Sequence, residues 1–299
     1  MILVTGGTGF VGSHLLRRLA QTEPAGTVRT LVRKRANAAV PDGVEVVEGD
    51  ITKPESLPAA VARVDVVIHA AAITGDRKEP YSRAYERINR VGTENLVAAA
   101  KKAGVNRVVV VSGLGCRPAP AGTYMATRWG MEQAVRRSGI PFVILQPSVL
   151  FGDGAPFVSA LAGLARVSPV LPLVGGGRTR FQPFWIDDLV TCLVASQTSE
   201  ALAGRALPLG GSEWATFKEV LQTICRAMRI RRLLVPLPTP IARIQASLMT
   251  AVLSKPPLTP AALELFGFDN ATDLDAVDRA FGFYPRGFRE HLLAHGIRD

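Results

Sequence analysis

Three glycines carry the first chemical suggestion in this chain. Gly6, Gly9 and Gly12 form G-x-x-G-x-x-G between an apolar run, Ile2-Leu3-Val4, and a stretch of helical periodicity that starts near Phe10. Residue types in this order suit the holding of a diphosphate. Gly6 allows a tight strand-to-helix turn, and Gly9 leaves no side chain where a pyrophosphate approaches the backbone. Gly12 is expected to let the helix pack closely on the sheet. The helix N-terminus then offers unpaired N–H groups and the positive end of its dipole to the phosphates. The expected phosphate contacts are therefore Gly6, Thr8, Gly9, Phe10, Val11 and Gly12.

The next signal is the end of the second apolar strand. An acidic residue there binds the ribose 2′-hydroxyl of NAD, whereas a basic one accommodates the 2′-phosphate of NADP. The chain reads Leu31-Val32-Arg33-Lys34-Arg35, with no acid. Cations around a dianionic phosphate form charge-assisted contacts, and arginine can form them two at a time. Arg33 and Lys34 thus favour NADP(H) over NAD(H). Asp50 and Ile51 end the third strand. There a carboxylate is expected to accept from an adenine amino group and Ile51 to pack on the ring.

These residues need a scaffold that brings strand ends together. Strands are expected at 2–5, 27–33, 44–48, 64–69, 107–112 and 141–146, several of them near-continuous β-branched runs such as Val108-Val109-Val110-Val111. Such runs suit strands covered on both faces. Helices are expected at 10–22, 83–103 and 124–138. The alternation implies an α/β fold, a Rossmann-type doubly wound parallel sheet with right-handed crossovers. Ligands in such sheets lie beyond the carboxyl ends of the strands. Those ends hold Gly6 to Gly12, Arg33, Asp50, Ala70 to Ala72, Ser112 and Pro147. Beyond residue 150, repeated prolines break the pattern. The expected division is a nucleotide-binding core over 1–150 and a small, mainly helical C-terminal lobe over 151–299, interleaved with the core.

Composition limits the alternatives. The 299 residues are 47% hydrophobic and 20% charged, as in a globular chain. No uninterrupted apolar stretch reaches the roughly 18 residues of a membrane span. Ile2 already belongs to the first strand, so no signal peptide is expected. The three cysteines, Cys116, Cys192 and Cys225, are odd in number and far apart, and suit reduced thiols in a cytoplasmic compartment. Four scattered histidines and no Cys/His spacing pattern imply no metal site.

Several motifs together resemble the extended and atypical short-chain dehydrogenase/reductase family. They are Thr5 to Gly12, Gly49-Asp50-Ile51, His69-Ala70-Ala71-Ala72, Tyr124-x-x-x-Arg128 and Pro147-Ser148-Val149-Leu150-Phe151-Gly152, in order along the first half. The tail is similar to a narrower subgroup, the one containing the nucleotide-binding accessory subunit of mitochondrial complex I. That likeness rests on Gln182 to Asp188, Pro256 to Thr259, Phe268-Asp269-Asn270 and Phe281 to Pro285.

The resemblance implies a tyrosine acid/base, a lysine four residues on and a serine that orients the substrate carbonyl. Spacing of four places Tyr124 and Arg128 on one helix face. Arg128 stands where the family has lysine. It keeps the positive charge but is larger and planar. Leu114 stands where the family has the reactive serine, and it cannot donate to an oxyanion. Ser112, two residues earlier, and Thr123 are the nearby hydroxyls. The family usually has an arginine before Pro147, where this chain has Gln146. By the same resemblance Ala70, Ala71, Ala72, Ser112, Tyr124, Arg128, Pro147 and Val149 join the cofactor-binding set.

The formal net charge is +10, which calls for an anionic partner. No nucleic-acid recognition motif is present. Residues 226–232 are basic and precede an apolar helix candidate, Ile241 to Ser254, with Ile244, Leu248, Met249 and Val252 at helical spacing. A basic cluster beside such a helix suits an anionic membrane surface or a respiratory-complex contact through 226–254. The commoner use of such a stripe is to cap a core. The expected function is an NADP(H)-dependent oxidoreductase acting on a lipophilic carbonyl or quinone-related substrate. The alternative is a nucleotide-binding structural or assembly factor, which Leu114 and Arg128 favour.

Overall fold

A computed structural model describes residues 1–254, 256 and 258–297. The first half alternates as its sequence implies. The elements are β1 (Ile2–Thr5), α1 (Phe10–Thr22), β2 (Val28–Val32), β3 (Glu45–Glu48), α2 (Leu57–Val61), β4 (Val66–His69), α3 (Gly92–Lys102), β5 (Arg107–Val111), α4 (Tyr124–Arg136) and β6 (Phe142–Pro147). The helix expected over 83–103 has two parts. A π-helical stretch, Glu86–Val91, runs directly into α3. Wide turns of this kind are frequent at functional sites.

The second half holds β7 (Leu150–Phe151), α5 (Pro156–Val167), β8 (Val170–Val174), β9 (Arg180–Phe181), β10 (Phe184–Trp185), α6 (Ile186–Ala195), β11 (Arg205–Leu209), β12 (Ala215–Thr216) and α7 (Phe217–Ala227). It ends with β13 (Leu233–Leu237), α8 (Thr239–Val252), α9 (Pro260–Glu264), α10 (Ala276–Phe281) and α11 (Phe288–His295).

Seven strands form the main sheet in the order β11-β6-β5-β4-β1-β2-β3. The pairs from β3 through to β6 are parallel, with Ile2 opposite both Val28 and Val66. The order reverses beside β1, so the carboxyl ends of β1 and β4 flank a topological switch point, where ligands bind in such sheets. Val108, Val109 and Val110 are fully buried, because helices cover both faces of their strand.

The chain forms two compact units. One comprises Met1–Ile73, Glu79–Gln146 and Leu189–Leu207; the other comprises Thr74–Lys78, Pro147–Asp188 and Pro208–Asp299. The sequence expectation placed the boundary at residue 150, with the later part interleaved with the core; the chain passes to the second unit at Pro147 and re-enters the first at Leu189. In the second unit, α7 opens on a reciprocal cap: Thr216 Oγ1 accepts from the Glu219 N–H at 3.2 Å, while the Glu219 carboxylate accepts from the Thr216 N–H at 2.8 Å.

Candidate functional site

The glycine turn is built by close approach. Gly6 has φ of +76°, a conformation that disfavours a side chain. A Cβ on it would also lie 2.6 Å from Ala71 N and 2.7 Å from the Ala70 carbonyl. Ala70 and Ala71, just past β4, therefore form the wall of the turn. Gly12 serves a different contact from the one expected. A Cβ there would run into the Gly6 carbonyl and come within 2.7 Å of Gly7 Cα, so this glycine packs α1 on the turn itself and not on the sheet. Gly7, unremarked in the sequence, is equally confined, since a Cβ would lie 2.6 Å from Leu16 Cδ1.

Gly9 differs from all of these. Its added Cβ would meet only the Gly6 oxygen, at 3.2 Å, so its outer side is open. Thr8 and Gly9 are exposed, and Phe10 and Val11 are half-buried. Gly9 also provides no side-chain cap for α1, and no acid lies in the first turn. The first N–H groups of a helix have no helical acceptor, so this end is suited to an anion.

At the next strand end Arg33 and Lys34 are exposed. The nearest β3 carboxylate, Glu48, accepts from the Arg35 backbone N–H at 2.6 Å and so holds the turn that carries the cations. Asp50 Oδ1 accepts from both the N–H and the hydroxyl of Thr52 at 2.8 Å. Ile51 is a correction. It is buried in the cluster that includes Leu31, Leu57 and Leu96, and it faces Gly92, where a Cβ would lie 2.8 Å from its Cδ1. It is a core residue, because the chain turns inward after Asp50.

The carboxyl end of β5 and the start of α4 hold the chemically active side chains. Tyr124 is the first residue of α4 and is largely buried, with its ring edge-to-face on Tyr85 at 5.3 Å between centroids. Arg128 follows one turn later and is 5% exposed. Its Nη2 donates to the Val111 carbonyl at 3.1 Å, but its Nε and Nη1 are buried without a hydrogen-bond partner among the described residues.

Two expected hydroxyls are already committed. Ser112 Oγ donates to the fully buried Glu132 carboxylate at 2.5 Å, so Ser112 serves the interior and not a ligand. Thr123 Oγ1 caps α4 by accepting from Ala126 N–H, and donates to the Pro120 carbonyl at 2.7 Å. Leu114 is buried and offers no donor. Gln146 also donates to Glu132, at 2.8 Å. Burial above all, then the Glu132 charge, pushes the Cys116 thiol up to about 12, so it stays protonated at neutral pH.

Beneath the turn lies a buried polar chain that sequence reasoning missed. Thr5 Oγ1 and His69 Nδ1 are 2.6 Å apart, and His69 Nε2 lies 2.9 Å from Thr93 Oγ1. The Thr93 hydroxyl donates to the Asn89 carbonyl at 2.5 Å. Its proton being committed there, Thr93 accepts from His69 Nε2–H, and His69 Nδ1 accepts from Thr5. Burial, reinforced by the Arg128 charge, pulls His69 down to about 3, so it is neutral at physiological pH. The Asn89 side chain then pairs with both backbone groups of Ile73 and donates to Thr127. His69 was visible in sequence only as part of a motif, and Asn89 only as one polar residue in a helix.

Pro147 and Val149 belong to the second unit. Pro147 is buried, and the Val149 carbonyl accepts from the Phe184 N–H at 2.9 Å. Next to them Ser148 donates to the Asn270 carbonyl at 2.8 Å. No group of three or more metal-ligating side chains occurs among the described residues.

Residues 6–160 match the family described as NAD(P)H-binding. The chain belongs to that family. Its glycine turn and Arg128 fit such a ligand, since Gly9 leaves the turn open and Arg128 has buried donors without acceptors. Among curated relatives, the ceramide reductase of Caulobacter vibrioides is 30% identical over 92% of this chain and 84% of its own length. A second, the NADH dehydrogenase [ubiquinone] 1 alpha subcomplex subunit 9 of Arabidopsis thaliana, is 26% identical over 97% of this chain and 74% of its own. Among solved structures, the Citrobacter triphenylmethane reductase complexed with NADP(H) superposes with a TM-score of 0.77 at 20% identity, covering 99% of this chain and 100% of that one. This NAD(P)H-binding protein is an NAD(P)-dependent oxidoreductase of the short-chain dehydrogenase/reductase type.

Proposed function

We propose that the protein is an NADPH-dependent reductase of a lipophilic carbonyl or quinone-related substrate, with Tyr124 as the proton donor. The observation that carries this reading is the pairing of Tyr124 with Arg128 on one face of α4, where Arg128 holds two buried donors without acceptors. The glycine turn and the α1 N-terminus would hold the pyrophosphate, Arg33 and Lys34 the 2′-phosphate, and Arg128 the ribose hydroxyls near the reacting ring. Bound NADPH supplies a hydride.

The residues of the chain supply position and the proton. Tyr124, one helical turn before Arg128 on α4, would meet a developing oxyanion and protonate it. Losing the second donor, at Leu114, costs a site of this kind roughly 3–4 kcal/mol of transition-state stabilisation. That suits substrates with a low intrinsic barrier, as quinones and activated carbonyls have. The relatives named for ceramide and ubiquinone support the lipophilic class.

Tyr124→Phe tests this. Turnover of NADPH with a panel of quinones and long-chain ketones should fall by about 10²–10⁴, the range for a positioned acid/base, while NADPH affinity stays nearly constant. Wild-type turnover that survives the substitution would remove Tyr124 from the chemistry. An absence of turnover across the panel, with NADPH bound, would favour the structural role.

A further inference from the structure

Helix α8 is packed in a way that a core-capping helix is not. Its inward positions are alanines. Ala242 and Ala246 are fully buried, in a small cluster with Val174 and Leu263. Its large aliphatic side chains face water instead: Ile241, Ile244, Leu248 and Val252 are 48%, 63%, 62% and 82% exposed. Their spacing of three, four and four forms one stripe along the helix. The strand leading into α8 repeats the pattern. Leu233 lies opposite Val170 in the β13–β8 register, and both are exposed. Large apolar side chains exposed together along one helix face mark a contact site.

The charge distribution indicates what covers it. Residues 154–186 contain no Asp or Glu, and neither do residues 220–263, a stretch that carries six Lys and Arg. Arg226, Arg229, Arg231 and Arg243 are exposed. A second copy of the chain would bring this uncompensated positive charge against itself. Protein interfaces are also enriched in aromatic side chains, and the stripe is wholly aliphatic. Apolar side chains in a stretch rich in cations and free of carboxylates over 220–263 match an anionic bilayer, which takes the aliphatics into its acyl boundary and the arginines at its headgroups. The helix is 14 residues long, about 21 Å. It is too short to cross a bilayer core of about 30 Å, and no helix among the described residues can cross one.

We propose that α8 and the β8–β13 pair form a docking surface for an anionic lipid bilayer, with α8 lying along the interface. This stands apart from the reductase reading and requires no turnover.

The test is co-sedimentation of the full chain with vesicles. Vesicles of phosphatidylcholine with a third of phosphatidylglycerol should pellet the protein. Pure phosphatidylcholine should not, and high salt should weaken the binding. The double variant Ile244→Asp, Leu248→Asp should lose it, with unchanged circular dichroism because both positions are exposed. Arg231→Gln and Arg243→Gln should each lower partitioning about fivefold, corresponding to about 1 kcal/mol per surface cation. That arginine pair keeps the proposal testable if the aspartate variant fails to fold. No sedimentation with anionic vesicles would overturn the proposal, as would sedimentation that ignores all four substitutions. A concentration-dependent dimer abolished by Ile244→Asp, in the absence of vesicle binding, would assign the face to a second copy instead.

Discussion

Arg128 reaches across from α4 to donate from Nη2 to the carbonyl of Val111, at 3.1 Å, at the very end of β5. One hydrogen bond holds a buried guanidinium whose other two nitrogens have no acceptor among the described residues. Leaving a buried donor unsatisfied costs about 1–3 kcal/mol. The apo protein is therefore less stable than its core allows, and a ligand with acceptors at this point would remove the cost. The site is prepared for binding at the expense of stability.

Arg128→Met should separate the two effects. It retains length and removes the orphaned donors, so the cofactor-free protein should melt at the same temperature or a higher one. Cofactor affinity should fall about 10- to 150-fold, as expected for one charge-assisted contact of about 1.5–3 kcal/mol. Calorimetric titration and thermal melts check this. Lower apo stability with unchanged affinity would show that the guanidinium is structural.

The glycines should divide likewise. Gly9→Ala places a Cβ whose one near neighbour is the Gly6 oxygen at 3.2 Å, so the melting temperature without cofactor should fall only slightly while NADPH binding weakens. Gly12→Ala drives a Cβ into the Gly6 carbonyl, and should destabilise the fold by about 1–3 kcal/mol, as overpacking does. Chemical denaturation of the two variants decides between these expectations. Equal stabilities would refute the packing role assigned to Gly12.

On the proposed reading, Arg33 and Lys34 would set cofactor choice, while Glu48 is engaged by the Arg35 backbone. NADPH should bind more tightly than NADH, and Arg33→Asp should narrow the ratio by at least tenfold. Equal wild-type affinities by calorimetry would defeat the NADP assignment.

His69 gives the fold an acid-sensitive joint. Its folded value of about 3 lies well below the ordinary 6.5. The unfolded chain therefore binds the proton that the folded one excludes. This contribution to stability is complete above pH 6.5 and is lost as pH falls from 6.5 towards 3. Between pH 6.5 and 5 the loss is about 2 kcal/mol. His69→Gln, which keeps a neutral side chain able to donate and accept, should flatten this slope in pH-dependent unfolding curves. A wild-type slope retained in the variant would place the titrating group elsewhere.

Much of this was legible along the chain. Apolar and β-branched runs set six strands to within a residue or two; the central ones, such as β5, are buried on both faces, which admits few other residue types. Gly6, Gly9 and Gly12 marked the turn because their spacing reflects backbone geometry, which is local. Tyr124 and Arg128 fell on one face because a helix repeats every 3.6 residues. The resemblance to the short-chain dehydrogenase/reductase family also implied the missing donor at Leu114.

What remained hidden depends on residues far apart in sequence. Gly12 packs on Gly6 rather than on the sheet, Ile51 belongs to the core, and Ser112 is committed to Glu132, twenty positions on. None of these follows from periodicity, since each depends on which surface another element presents. The seventh strand, β11, arises because residues from Leu189 onward return to the unit that the chain left at Gln146. For α8 the sequence stated only that Ile244, Leu248 and Val252 share a face. Tertiary packing decided which face turns inward: the alanines join Val174 and Leu263, and the large aliphatics face water.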